Sequence, residues 1–155
     1  MWLSSTAQTA LRAVIHLASA GASGPIRAGE IAGAIGAPQN YLSKTLHALA
    51  RAGVLASRRG PEGGFALAVP AEALPLDRVI APFASVGGRR CLMGRAGCGT
   101  TSHCMAHERW SKVAAEVERF LATTTVADLL GHSAIPGLPP AHLSIEESTH
   151  ARASR

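Results

Sequence analysis

Two apolar runs at helical spacing, divided by Gly36 and closed by Gly53, constrain this chain's architecture more than any other feature. Ile31, Ala32 and Ile35 recur at the spacing of a helix buried along one face, predicting a short helix over residues 28–35. After Gly36 and Ala37, Pro38 or Gln39 opens a second helix to about residue 52. This helix turns Tyr41, Leu42, Leu46 and Leu49 inward, and Gly53 is its stop. Two short helices joined by a glycine-containing turn form a helix-turn-helix unit. Its second helix would enter a DNA major groove by its N-terminal end.

That geometry aims Gln39, Asn40, Ser43 and Lys44 at DNA, with His47 one turn further on. Asn and Gln pair with adenine edges, and Lys reaches guanine or phosphate. The plainer reading of the same residues is a solvated helix face. Two short strands are predicted next, over 54–57 and 65–69, joined by Arg58, Arg59, Gly60, Pro61, Glu62, Gly63 and Gly64. The hairpin reads as a wing whose arginines lie on phosphates or enter a minor groove, while Gly60 permits close approach to the backbone. Charge agrees with this placement. Residues 1–70 set Arg12, Arg27, Lys44, Arg51, Arg58 and Arg59 against Glu30 and Glu62, so the excess behind the net charge of +5 lies in this half. A basic half in a small protein points to a polyanion, here double-stranded DNA.

Around this unit the chain is expected to be mainly α with a small β-wing. Aromatic residues make up only 4%, so the core must come from Leu, Val, Ile and Ala, which suits closely packed helices. A first helix over residues 5–20 places Leu11, Val14, Ile15 and Ala18 on one face. Another begins at Pro75 or Leu76 and runs to about residue 87, burying Leu76, Val79, Ile80 and Phe83. A longer one spans 105–123 and carries Trp110, Val113, Val117, Phe120 and Leu121 as a broad apolar stripe, either core or the seam of a homodimer. Residues 126–130 add a last turn. The expected division is a winged helix-turn-helix domain over 1–72, a cluster-binding loop with a long dimerisation helix over 73–130, and a tail over 131–155. Pro136, Pro139 and Pro140 and the lack of apolar period predict disorder in that tail.

All three cysteines fall in one glycine-rich stretch, CLMGRAGCGTTSHCMAH, at Cys91, Cys98 and Cys104. Zinc knuckles place cysteines two to four residues apart, whereas these gaps make a looser wrap that suits an iron–sulfur cluster. Three thiolates leave a fourth ligand to find. His107, one helical turn beyond Cys104, is better placed than His103. Structural zinc, a disulfide-forming thiol switch and three unremarkable loop thiols remain rival readings.

Arg12 and His16 interrupt the N-terminal apolar run, so no targeting segment is expected, and no stretch reaches transmembrane length. An odd cysteine count without a secretion signal suggests a reducing, cytoplasmic setting and no membrane. Nucleotide loops, nucleophile elbows and zinc-hydrolase motifs are absent, which argues against an enzyme.

Five segments together, MWLSSTAQTALRAVIHLA, YLSKTLHALARAGVLASRRG, GGFALA, the three-cysteine loop and FLATTTVADLL, resemble the Rrf-two family of winged-helix regulators over residues 1 to about 130. The resemblance implies a homodimeric transcription factor, a repressor, that reads a pseudo-palindromic operator under control of an iron–sulfur cluster. Cys91, Cys98 and Cys104 match the family's cluster cysteines. His107 matches the fourth ligand of its iron–sulfur cluster regulators, where the centre is [2Fe-2S] rather than [4Fe-4S]. Its nitric-oxide-sensitive branch carries an N-terminal carboxylate where this chain has Gln8, and an amide is a poor iron ligand. Ser43 replaces the glutamate expected in the recognition helix, so the operator sequence does not carry over.

Overall fold

The computed structural model describes residues 3–21, 24–60, 63–84 and 105–131. Cys91, Cys98, Cys104, His103, Pro61, Glu62 and the tail beyond 131 lie outside the described residues. The fold is mainly helical, with six α-helices and one two-stranded antiparallel sheet among the described residues.

Helix α1, Ser5–Ser19, starts on Ser4, whose side chain accepts the Ala7 N–H at 3.2 Å. Its buried stripe is Ala7, Ala10, Ala13, Val14 and Leu17, which keeps Val14 of the expected face but not Leu11, Ile15 and Ala18. Small residues win because helices crowd α1 from several sides: α2 and α3, and also α4 and α6. Leu11 and Ala18 are left on the margin of the core.

Helix α2, Ala28–Ile35, ends on Gly36 at φ 63°, the left-handed conformation a glycine adopts without a Cβ penalty. The Arg12 guanidinium donates to the Ile35 carbonyl, so α1 caps the negative end of α2. Helix α3, Gln39–Arg51, buries Leu42, Thr45, Leu46 and Leu49. Tyr41, expected inward, is 38% exposed, and its hydroxyl donates to Thr6 Oγ1 at 2.6 Å. A phenol keeps its polar tip at the surface and its ring against the neighbouring helix.

Strands β1, Leu55–Arg58, and β2, Gly64–Leu67, pair in antiparallel register from Leu55↔Leu67 to Arg58↔Gly64. The first strand begins one residue later than expected. Val54 donates its N–H to Leu49 and so closes the end of α3, although its carbonyl still accepts from Ala68. The chain before α2 also joins this sheet. Ile26 and Phe65 exchange both backbone hydrogen bonds, at 2.9 and 2.8 Å, a pairing the sequence pattern did not suggest.

Helix α4 is shorter than expected, spanning Leu76–Ile80, and gives way to a 3-10 turn, Ala81–Phe83. Pro82 explains the break, since it has no N–H for Arg78's carbonyl and its ring crowds that position. Helix α5, His107–Thr123, starts two residues later than expected, and α6 is Val126–Gly131. Thr125 caps α6 through a reciprocal pair: its N–H meets Asp128 Oδ2 at 2.8 Å, and Asp128 N–H meets Thr125 Oγ1 at 3.2 Å. One core runs through these elements, from Ala10 and Val14 of α1 through Ile31, Leu42, Leu46, Leu49, Val54 and Phe65 to Leu74, Val79 and Val126.

Candidate nucleic-acid interface

The outer face of α3 presents Gln39, Asn40, Lys44 and His47 exposed, in the helical stripe that a groove-reading helix needs. Helix α2 shapes the start of this stripe: a Cβ on Gly29 would lie 3.5 Å from Gln39 Nε2, so the glutamine amide rests over the first turn of α2. Ser43 is only half exposed, and its hydroxyl donates to the Gln39 carbonyl at 2.9 Å. Its hydrogen is therefore committed to its own helix, leaving lone pairs to accept from a donor.

At the end of the stripe, the His47 ring stands edge-to-face on Phe65 of β2, with centroids 5.3 Å apart and planes at 72°. Phe65 itself is 6% exposed and belongs to the core. At the wing tip Arg58, Arg59 and Gly60 are all exposed. Gly60 has φ 103°, and its carbonyl accepts the Gly63 N–H at 2.9 Å, which tightens the turn. A Cβ on Gly64 would fall 2.5 Å from the Ile26 carbonyl oxygen, so only glycine fits where β2 meets the Ile26 backbone.

The charges on this face are uncompensated among the described residues. The ion pairs seen lie instead on α5, Lys112–Glu108 at 3.1 Å and Arg119–Glu116 at 2.7 Å, and no described carboxylate pairs with Lys44, Arg51, Arg58 or Arg59. Exposed cations on a helix and the adjoining hairpin can contact the phosphates of a duplex.

His107 is the first residue of α5 and is partly buried. Its three proposed partner cysteines fall outside the described residues, and among the described residues no group of three or more His, Cys, Asp or Glu side chains could hold a metal.

The chain matches the profile of Rrf2, described as an iron-dependent transcriptional regulator, over residues 3–132. It belongs to the Rrf2 family. The helix-turn-helix-type transcriptional regulator IscR of Yersinia pseudotuberculosis is 32% identical over 136 residues, covering 87% of this chain and 82% of that one. Two solved structures share the fold. CymR, the global cysteine regulator of B. subtilis, superposes with TM-score 0.73 at 23% identity, covering 86% of this chain and 99% of its own. T. potens IscR does so with TM-score 0.70 at 23% identity, covering 90% and 93%.

This Rrf2 protein is thus a DNA-binding transcriptional regulator and not an enzyme. Among the described residues no helix is long and apolar enough to cross a membrane.

Three parts of the interface escaped sequence reasoning: the Ile26–Phe65 pairing, the Arg12 cap on α2 and the Thr6–Tyr41 bond. The adjacent Gly63 and Gly64 were the available signal for the first, since two glycines at the base of a strand mark close backbone approach. The other two join residues far apart in sequence, and no local pattern announces them.

Proposed function

We propose that this chain acts as a homodimeric repressor whose affinity for a pseudo-palindromic operator is set by a [2Fe-2S] cluster on Cys91, Cys98, Cys104 and His107. The donor set fits that group: three thiols and one imidazole make the four protein ligands that two irons require. When bound, a cluster supplies a redox-active tie whose integrity depends on iron–sulfur status, redox state or nitric oxide. Residues 1–72 would read DNA and residues 73–130 would sense and dimerise, and we infer DNA contacts from Gln39, Asn40, Ser43, Lys44, Arg58, Arg59 and Gly60, with His47 closing the same stripe.

The observation that carries the reading is the route between His107 and α3. His107 begins α5, α5 packs on α4, and α4 packs on α1. From α1, Thr6 bonds Tyr41 of α3 and Arg12 caps α2. A shift of α5 therefore has a path through packed helices that ends in hydrogen bonds to both helices of the DNA-reading unit. The exposed apolar side chains of α5, Val113 at 52% and Phe120 at 54%, support its use as the dimer seam. In such a dimer the recognition helices must sit about 34 Å apart to engage adjacent major grooves, so a small change at the seam is enough to spoil docking.

The test is the visible spectrum, with iron and acid-labile sulfide assays, of protein purified without oxygen, beside His107→Ala. A brown protein holding about two iron and two sulfide per chain, with an altered spectrum in the variant, is expected. Operator binding by reconstituted and metal-free protein should then differ, and equal affinities would refute cluster control. A colourless protein carrying zinc, or one that forms a disulfide on oxidation, would favour a zinc or thiol switch on the same scaffold.

A further inference from the structure

We infer that His47 governs DNA affinity as a positioning residue, by holding the wing against the recognition helix through Phe65, and not by touching a base. The inference rests on the reading that α3 and the wing both face DNA.

His47 closes the exposed stripe of α3, one turn beyond Ser43 and Lys44. Its ring is turned onto Phe65, 5.3 Å away at 72°, and a ring engaged there is not extended into a groove. Phe65 is the fixed point of the hairpin. Its N–H and carbonyl both bond Ile26 just before α2, its side chain is in the core, and Ser57 of β1 lies opposite it. Gly64 beside it is pressed against the Ile26 backbone.

The hairpin is thereby tied to α2 through its backbone, whereas His47 is the ring that joins it to the exposed face of α3. Arg58 pairs with Gly64, the residue next to Phe65, and Arg59 and Gly60 follow it at the tip. Any tilt of the hairpin about Phe65 is amplified at these arginines. Two groups of DNA contacts, one on α3 and one on the wing, bind together only if their relative angle is preset, and presetting it spares the entropy of ordering them on the duplex.

The discriminating variants are His47→Ala and His47→Phe in the otherwise native chain of 155 residues. The probe is a duplex selected by the native protein from a random-sequence library, with binding followed by fluorescence anisotropy. His47→Ala should weaken binding about threefold to tenfold, the range spanned by an edge-to-face ring pair. Phenylalanine keeps a ring against Phe65 and can donate nothing to a base, so His47→Phe should stay within about twofold of the parent. Arg59→Ala should cost less in the His47→Ala background than in the native one, because a wing no longer held has less to lose.

Equal losses in the alanine and phenylalanine variants, or an Arg59→Ala cost identical in both backgrounds, would overturn the inference. If circular dichroism shows that His47→Ala does not fold, His47→Gln takes its place. Glutamine retains hydrogen bonding without a ring, so binding at the native level would equally overturn it. Lys44→Ala and Arg59→Ala in the otherwise native chain test the underlying interface. If neither weakens binding, the interface reading itself fails, whereas losses from both together with an inert His47 defeat only the positioning role.

Discussion

Gly64→Ala and Gly33→Ala are the same chemical change in two places, and the structure assigns them opposite signs. At Gly64 the new methyl would lie 2.5 Å from the Ile26 carbonyl oxygen, 2.6 Å from its carbon and 3.0 Å from its nitrogen. All three are backbone atoms, so no rotamer change can relieve the clash. The Ile26 backbone must move away, stretching the two hydrogen bonds that join Ile26 to Phe65 at 2.9 and 2.8 Å. Overpacking of this kind costs about 1–3 kcal/mol, and each weakened hydrogen bond adds up to about 1 kcal/mol. The expected loss is about 2–4 kcal/mol. Gly33 sits inside α2 with nothing within 4 Å of its would-be Cβ. There alanine should stabilise by about 0.5–1 kcal/mol, through helix propensity and a less flexible unfolded chain. Urea denaturation followed by far-UV circular dichroism, at one protein concentration because assembly shifts the midpoint, gives both values. A Gly64→Ala protein as stable as its parent would refute the claim that the Ile26 backbone is rigidly held against β2.

Three further outcomes are expected. Phe120→Asp on the exposed face of α5 should yield a folded monomer by light scattering, with operator affinity lowered about tenfold or more because one half-site no longer secures the other; a dimer of native affinity would remove α5 as the seam. Lys44→Ala should weaken DNA binding and reduce the slope of log affinity against log salt by about one if the lysine neutralises a phosphate, and an unchanged slope with altered sequence preference would assign it to a base. Arg12→Ala deletes the donor to the Ile35 carbonyl and should cost about 1 kcal/mol in the urea experiment, while weakening DNA binding if α1 supports the DNA-reading unit as the contacts suggest.

The helix-turn-helix and the wing were legible because their signals are local. Gly36, Pro38 and Gly53 punctuate helices whose apolar spacing is regular, and their observed ends differ from the expected ones by a residue at most. The face of α1 was only partly legible, since bulk misleads where four neighbouring helices favour alanine over leucine and isoleucine. Pro82 was visible, but the length of α4 was overestimated because the apolar pattern continues through Phe83 after the α-helix has stopped. In the interface, exposure of Gln39, Asn40, Lys44, Arg58 and Arg59 followed from helix and hairpin periodicity. The engagement of His47 with Phe65 did not, because it joins residues on two elements whose mutual angle depends on Ile26.

Helix α1 joins the DNA-reading pair to the helices on the other side of the core. It packs on α2 and α3, the pair that faces DNA, on α6, and on α4, which packs in turn on the long helix α5. Its alanine-rich stripe brings those neighbours close, and close packing leaves little compliance: a displacement at one surface is transmitted and not absorbed. The polar links reinforce this at the DNA end, where Thr6 holds the start of α3 through Tyr41 and Arg12 holds the end of α2. These two attachments lie on either side of the turn between α2 and α3, so a rotation of α1 would tilt the pair as a unit and keep its internal angle. Regulation by such a rotation changes the spacing between two recognition helices in a dimer while preserving what each one reads. Sequence preference should therefore be the same in the high- and low-affinity states, with only the tolerated half-site spacing altered, and selection of duplexes by the two states separately would reveal any departure from that.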